Sequence, residues 1–320
     1  ANNNNNNNNN KMWTDYVPKR KGGRRLKSIE DLVFKEWCAL SEYLKHSTTP
    51  ALKLVSKEKI VETGTRENQT DHEDHLMKWE AKALHGKWAK LLKIVDEDSS
   101  KWQRTAHLKP PTEALIIAAQ DKALHTNWLG HYILKTGETT DKCRRCKKFA
   151  ETVKHIVSGC PMLAQGVYCE RYNQDFCDQY QLPRGQRWWE HKPESVTENE
   201  SVKILWDFTL QLDRLVEARK PDILLIQKAS GSNPQKITII DIACPGITLA
   251  EKEEEKISKY QPLRMELERT WGGKAKVVPI VIGTLGALPK TLKGYLQELD
   301  IIINIQTLQK AVILRTSSIL

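Results

Sequence analysis

The spacing of apolar residues along this chain changes period about two thirds of the way through. From residue 29, Leu32, Val33, Trp37, Leu40 and Leu44 fall on one side of a helix that Ser28 would cap. A polar gap from Thr63 to Glu73 leads to a second helical stretch, with Leu76, Trp79, Ala83 and Trp88 through Leu92, ending near Asp96. Pro110 and Pro111 break the chain. Thr112 then opens a third helix through Leu115, Ile116, Ala119, Ala123 and Leu124 toward Trp128. The tryptophans of this region are expected in the core rather than as platforms for stacked bases. A loop from Gly185 to Pro193 holds Trp188 and Trp189. After it, Ile204, Leu205, Phe208, Leu212, Leu215 and Val216 predict a long amphipathic helix that Pro221 stops.

Beyond Pro221 the apolar runs become short. Ile223 to Ile226 and Ile237 to Cys244 read as strands joined by a turn at Gly231, Ser232, Asn233 and Pro234. Leu249 to Trp271 reads as a long helix closed by Gly272 and Gly273. Val277 to Ile282 reads as a third strand whose Pro279 points to a sheet edge, followed by helices around Leu292–Leu299 and Leu308–Leu314. A helix between the second and third strands makes that pair parallel, with a right-handed crossover. The fold class is α/β: a sheet domain over residues 195–320 behind a helical region over 29–140.

The first 28 residues predict no packed structure. Asn2 to Asn10 form a low-complexity tract, and the start at Ala1 suggests a fragment of something longer. Lys19, Arg20, Lys21, Arg24, Arg25 and Lys27 then make a basic arm, suited to phosphates, to a nuclear-import signal or to a solvated linker. The net charge of +10 favours an anionic partner, most often nucleic acid. No apolar run approaches the roughly 20 residues that cross a bilayer, and no signal-peptide pattern opens the chain, so no membrane partner is expected. The seven cysteines fit reduced thiols, in nucleus or cytoplasm, better than a disulfide framework. Cys38, Cys169, Cys177 and Cys244 are expected as small buried hydrophobes.

The other three cysteines belong to one pattern. Cys143 and Cys146 are separated by two residues, His155 follows after eight more, and Cys160 after another four. Two thiols at this spacing can turn onto one ion, and the His and third Cys complete the closed tetrahedron of structural Zn²⁺. The Cys-Cys-His-Cys order is that of a zinc knuckle that handles nucleic acid, here over residues 141–180. Arg144, Arg145, Lys147 and Lys148 are interleaved with the ligands and are candidate nucleic-acid contacts. The plainer alternative is a chance cluster of thiols in a reduced protein.

A second chemistry lies in the strands. If they form a hairpin, its centre falls between Gly231 and Ser232, which sets Asp222 opposite Asp241 on one face. Two opposed carboxylates repel unless something positive sits between them. Hard oxygen ligands select Mg²⁺ or Mn²⁺, which would activate water and stabilise a pentacovalent phosphate. The alternative is that Asp222 caps a strand start and Asp241 makes a buried hydrogen bond. On the following helix Lys252, Lys256 and Lys259 share one side, with Tyr260 a turn beyond Lys256, though Glu251 and Glu253 to Glu255 also suit a solvated face of ion pairs.

The segments Lys220-Pro221-Asp222, Ile239-Ile240-Asp241-Ile242-Ala243-Cys244-Pro245 and Glu254-Glu255-Lys256-Ile257-Ser258-Lys259-Tyr260, with the knuckle and Trp206-Asp207-Phe208, resemble one family. It is the restriction-enzyme-like endonuclease that ends the polyprotein of site-specific non-LTR (LINE-type) retrotransposons. The resemblance runs from about Gly23 to the C-terminus. It implies a PD-(D/E)XK core in which Asp222 and Asp241 bind the catalytic Mg²⁺ or Mn²⁺. The position two after the second acid is Ala243, so the catalytic Lys falls on the next helix, at Lys256 or, second, Lys259. Where relatives carry Arg-His-Asn, this chain reads Arg171-Tyr172-Asn173, which leaves Arg171 as a nucleic-acid contact without its neighbouring His. No YxDD-like motif is present, and the resemblance implies that the reverse transcriptase lies upstream and that 29–140 is the linker after it. It further implies nicking of chromosomal target DNA in the nucleus, with the element RNA as a second partner. The alternative is a catalytically inactive, nucleic-acid-binding zinc-knuckle protein, a decayed or repurposed copy of such an element.

Overall fold

A computed structural model describes residues 17–24, 26, 29–52, 70–137, 140–164, 195–229, 235–299 and 304–320. The Asn tract, Ser28, most of the polar gap, Cys169, Cys177, Arg171 to Asn173, Trp188, Trp189 and the turn at 231–234 lie outside these residues. The chain divides into two compact units, Ala1–Lys90 and Leu91–Leu320.

In the first unit, α1 (Ile29–His46) has the expected bounds, yet Val33, Trp37, Leu40 and Tyr43 on it are exposed. The second helical stretch is two helices, α2 (Thr70–Glu80) and α3 (Lys87–Ile94), the unit boundary falling within α3. The break has a local cause. The Trp79 indole N–H donates to the His85 carbonyl at 3.0 Å, and the chain folds back so tightly that a Cβ on Gly86 would stand 2.5 Å from the Trp79, Glu80 and Lys82 carbonyl oxygens.

The second unit is built around a five-stranded sheet in the order β1 (Val196–Glu198), β2 (Val202–Trp206), β3 (Ile223–Gln227), β4 (Lys236–Ala243), β5 (Lys274–Val281). The first four strands are antiparallel and β4–β5 is parallel, joined as expected by a long helix. Pro279 sits on β5, an edge strand, where a missing N–H is tolerated.

The segment 204–220 corrects the sequence reading: it is β2 followed by an irregular run, not a helix. The sheet is covered on both faces, so its strands are apolar throughout and imitate a helical repeat. Ile204 and Trp206 join one core with Ile223, Leu225 and Ile240, whereas Leu205 joins the other with Leu224, Ile226 and Ile239. Asp207, in the left-handed region at φ 45°, ends the strand. Leu215, expected on the helix's buried side, stands 95% exposed.

Helices complete the unit. Pro110 and Pro111 begin α5 (Pro110–Gln120) rather than break it, since a first-turn Pro gives up no helical hydrogen bond. Ahead of it lies α4 (Trp102–Thr105). The helix expected to run on to Trp128 stops at Gln120, and Thr126 caps a new turn, α6 (Asn127–Leu129). After α7 (Pro161–Ala164) and the strands β1–β4 comes α8 (Leu249–Trp271), whose C-terminal Gly272 takes the left-handed conformation at φ 66°. It covers one face of the sheet through Tyr260, Leu263 and Leu267. The opposite face is covered by α9 (Leu292–Glu298) and α10 (Ile305–Ile319) through Leu292, Leu296, Leu308 and Val312. Cys38 and Cys244 are half-buried, short of the full burial expected.

The loop after β5 is held by buried side chains from three directions. Gln309 donates to the Gly286 carbonyl at 2.6 Å and the Ser99 carbonyl at 3.1 Å, Thr316 to Thr284 at 2.7 Å, and Gln120 to Leu285 at 2.8 Å. Thr284 in turn donates its N–H to Pro245, just past the end of β4. Replacing Gln309 with Ala strands two buried carbonyls and leaves a void, so we expect a loss of about 2–4 kcal/mol by urea unfolding. A loss within about 0.5 kcal/mol would show that this network does not hold the loop.

Candidate active site and metal centre

Period two places the acidic pair. Ile223 is registered against Ile240 in the β3–β4 hairpin, and continuing that register by one residue sets Asp222 against Asp241. Leu224 and Ile239, two residues inward from each acid, belong to the core beneath α8, so both carboxylates face that helix. Asp241 lies near the carboxyl end of β4 and is only 2% exposed.

Each carboxylate is held by a specific partner. Asp222 Oδ2 accepts the Ile242 N–H at 2.7 Å. Asp241 Oδ1 accepts the Tyr260 hydroxyl at 2.6 Å, and its Oδ2 forms an ion pair with Lys256 Nζ. Lys256 and Tyr260 are one helical turn apart on α8, so a single helix face delivers both. Lys259 approaches from the same turn: its Nζ lies 3.0 Å from the Tyr260 oxygen and 4.5 Å from the ring centroid. The Tyr260 hydroxyl is thereby an acceptor toward Lys259 and a donor toward Asp241. Lys252 points elsewhere, bonded to Glu255 at 2.6 Å.

Asp222 is placed where its ionisation is disfavoured. Burial, and then the negative charge of Asp241, push the Asp222 carboxyl up to about 6, with the Ile242 N–H and Lys256 only partly offsetting them. Burial and the bond to Asp241 also push the Tyr260 phenol upward, so it stays protonated and remains a donor. The donor set is two hard carboxylates, and a divalent cation between them would remove the repulsion that raises Asp222. These residues fit Mg²⁺ or Mn²⁺. Tyr260 is the member that sequence reasoning left without a role; its position one turn after Lys256 was the available signal.

The second centre is the cysteine cluster. The ligand atoms of Cys143, Cys146, His155 and Cys160 lie within 4.8 Å of one another, and Cys146 Sγ is 3.3 Å from His155 Nε2. Tetrahedral zinc with sulfur at about 2.3 Å needs ligand atoms about 3.8 Å apart, a small adjustment of this arrangement. The backbone pre-forms it. Cys143 donates its N–H to Phe149 at 2.8 Å, Lys147 donates back to Cys143 at 2.9 Å, and Lys147 turns the loop at φ 57°. The Thr152 hydroxyl accepts the His155 N–H at 3.1 Å and fixes the turn His155–Gly159. The Phe149 N–H, with smaller help from Lys148 and His155, pulls the Cys146 thiol down to about 6, whereas burial and the neighbouring cysteines push Cys160 up. This Cys₃His group could bind zinc.

Of the basic residues beside the cluster, Arg144 is committed inward. Its backbone N–H and its guanidinium bind the buried Glu151 carboxylate, which also accepts the Asn127 N–H at 3.0 Å. Arg145, Lys147 and Lys148 are exposed. The cluster is seated on the end of β4: a Cβ on Gly246 would lie 3.3 Å from Lys154 Cγ and Ser158 Oγ, within the His155 turn.

Two expectations follow from this geometry. Because the Asp222 carboxyl is raised above its ordinary 3.8, its ionisation carries a stability cost that is absent below about pH 4 and full above about pH 6. Without added divalent cation, Asp222→Asn therefore stabilises the protein at about pH 7.5, by up to about 3 kcal/mol, and leaves it unchanged near pH 4, as read by thermal unfolding. Destabilisation at the higher pH would contradict the charge arrangement described. Cys143→Ser should lower bound zinc from one equivalent toward none by elemental analysis, and unchanged metal content would remove this cluster as the zinc site. No protein-family model matches the sequence, and no curated protein matches it.

Proposed function

We propose that this chain is a metal-dependent DNA endonuclease that nicks target DNA, part of a non-LTR retrotransposon polyprotein whose reverse transcriptase lies in another segment. The observation that carries this reading is the convergence of Asp222, Asp241 and Lys256 on one face of the sheet, beneath α8. The wider setting supports it: an α/β unit, a net charge of +10, and a possible zinc centre packed against the loop that leaves the acidic strand. Within this reading the protein works in the nucleus, with target DNA and element RNA as its partners.

Asp222 and Asp241 would hold Mg²⁺ or Mn²⁺, which when bound supplies an activated water and stabilises charge on the scissile phosphate. The remaining work belongs to the chain. The Ile242 N–H and the Tyr260 hydroxyl fix the two carboxylates, so that little reorganisation accompanies the reaction. Lys256, neutralised by Asp241 here, has two further N–H donors that could meet a phosphate oxygen lying over that carboxylate. Lys259 keeps the Tyr260 proton aimed at Asp241 by donating to the same oxygen.

One observation favours a second reading, a nucleic-acid-binding zinc module without cleavage: Asp241 already has a hydroxyl donor on one oxygen, from Tyr260, and an ion pair to Lys256 on the other, partners that suit a structural carboxylate. Nicking of supercoiled plasmid separates the two. The endonuclease reading expects cutting that requires Mg²⁺ or Mn²⁺, and Asp241→Ala and Lys256→Met to reduce it to background. Wild-type protein that binds zinc and DNA but leaves the plasmid intact supports the binding module instead.

A further inference from the structure

The irregular run between β2 and β3 holds a side chain that neither centre uses. The run leaves and returns at the acidic site: the Asp207 N–H donates to the Asp222 carbonyl at 2.8 Å, and the Leu210 N–H to the Arg219 carbonyl at 2.9 Å. Leu210 and Val216 are buried in one core with Leu263 and Leu267 of α8, and Leu212 and Ala218 pack beside them. Midway along this anchored run, Leu215 is 95% exposed. A single exposed Leu is ordinary where the chain is free to turn it inward. Here its neighbours are fixed on both sides.

The buried Glu266 carboxylate accepts the backbone N–H of Arg214 and is paired with Arg269. Arg269 also donates to the Asp213 carboxylate, at 3.1 Å. Asp213 and Arg214 are thus held by α8 and Val216 by the core, and Leu215 between them projects into water. The charges along the run are mixed and lean positive. Arg214, Arg219 and Lys220 are exposed, as are Asp213 and Glu217, with Asp213 taken up by Arg269 and Lys220 paired with Asp207. On α8, Glu266 lies six residues beyond Tyr260, the donor to Asp241, which is about 9 Å of helix axis or roughly three base steps of DNA.

One leucine is too little for a protein interface, which takes on the order of 1,000 Å². It is enough for a wedge: an apolar side chain pressed between two base pairs unstacks that step and kinks the duplex, while nearby cations meet the phosphates. Rigidity is the requirement, because a side chain that swings aside does not hold a step open. We propose that Leu215 is a wedge residue that inserts into a base step of duplex DNA, a few base pairs from the phosphate engaged by the acidic pair. The proposal rests on the endonuclease reading for its substrate and adds how that duplex is deformed. An opened step beside the cut frees the sugar–phosphate backbone to bend toward Asp241, a carboxylate that is itself buried.

The test is unwinding of closed circular DNA. Relaxed plasmid is incubated with the full, zinc-loaded chain and a topoisomerase that needs no divalent cation, without magnesium or manganese so that nicking is silent. The protein is then removed and the topoisomers are resolved. Each inserted wedge unwinds the duplex, so wild-type protein should shift the topoisomer distribution as it saturates the plasmid. Leu215→Ser should reduce that shift by about fivefold or more while binding duplex DNA within about threefold of wild type by fluorescence anisotropy. Its melting temperature should not change, because the side chain it replaces stands in water. Leu215→Phe should keep the shift, since Phe wedges a base step as well. Equal shifts in wild type and Leu215→Ser, no shift from wild type bound to the plasmid, or no binding of duplex DNA would each overturn the proposal. The two readings fail separately. A Leu215-dependent shift from a protein that never nicks with Mg²⁺ or Mn²⁺ keeps the wedge and removes the endonuclease, and metal-dependent nicking without that shift does the reverse.

Discussion

Two carboxylates set opposite one another in a buried hairpin form the constraint around which this unit is organised. Across a β-ladder, Asp222 and Asp241 cannot separate without losing the register that buries Ile223, Leu224, Ile239 and Ile240. Burial first, and then the repulsion of Asp241, which a low-dielectric interior does not screen away, push the Asp222 carboxyl up to about 6. The chain answers with groups from α8: a hydroxyl donor at Tyr260, an ammonium at Lys256 and a second cation, Lys259, behind the hydroxyl. Lys256 pairs with Asp241 while Asp222 accepts a single backbone N–H, and a divalent cation between the two carboxylates would relieve their repulsion.

Around that hairpin the rest of the unit serves as support. The parallel β4–β5 pair brings the carboxyl ends of both strands to one place, the position at which open α/β sheets bind ligands. The loop leaving β5 is tied to the loop leaving β4 through Thr284 and Pro245, and is itself held by Ser99, Gln120, Gln309 and Thr316. On the other side the cysteine cluster presses its His155 turn against Gly246 and packs Cys143 and Cys160 against Ile319 of α10. A possible zinc centre and an acidic site therefore share a few residues of backbone, from Asp241 to Gly246.

Much of this was legible in the sequence where local rules act alone. The β3–β4 register followed from counting outward from the turn, and α8 ended where Gly272 allowed a left-handed residue. The cluster Cys143, Cys146, His155 and Cys160 was visible from spacing. The failures have a common origin in tertiary context. Residues 204–220 imitated a helix because a strand buried on both faces loses its alternation. The helix expected between Leu76 and Leu92 broke because Trp79 bonds the His85 carbonyl, a contact no periodicity reveals. Arg144 gained an inward partner only when Glu151 was found beneath it, and Tyr260 gained a role only when Asp241 appeared across the sheet. A basic residue's partner, like a buried hydroxyl's, is fixed by the fold rather than by its neighbours in sequence.

The central claim is that the opposed carboxylates form a cation site rather than a self-satisfied structural pair. Anomalous diffraction at the manganese edge, from crystals of the zinc-loaded protein soaked in Mn²⁺, tests it directly. A peak between Asp222 and Asp241 is expected, with carboxylate oxygens at about 2.1 Å and the Lys256 ammonium moved off Asp241 to make room. Crystals that show zinc at the cysteine cluster, no manganese at the acidic pair, and Lys256 still bonded to Asp241 would contradict it.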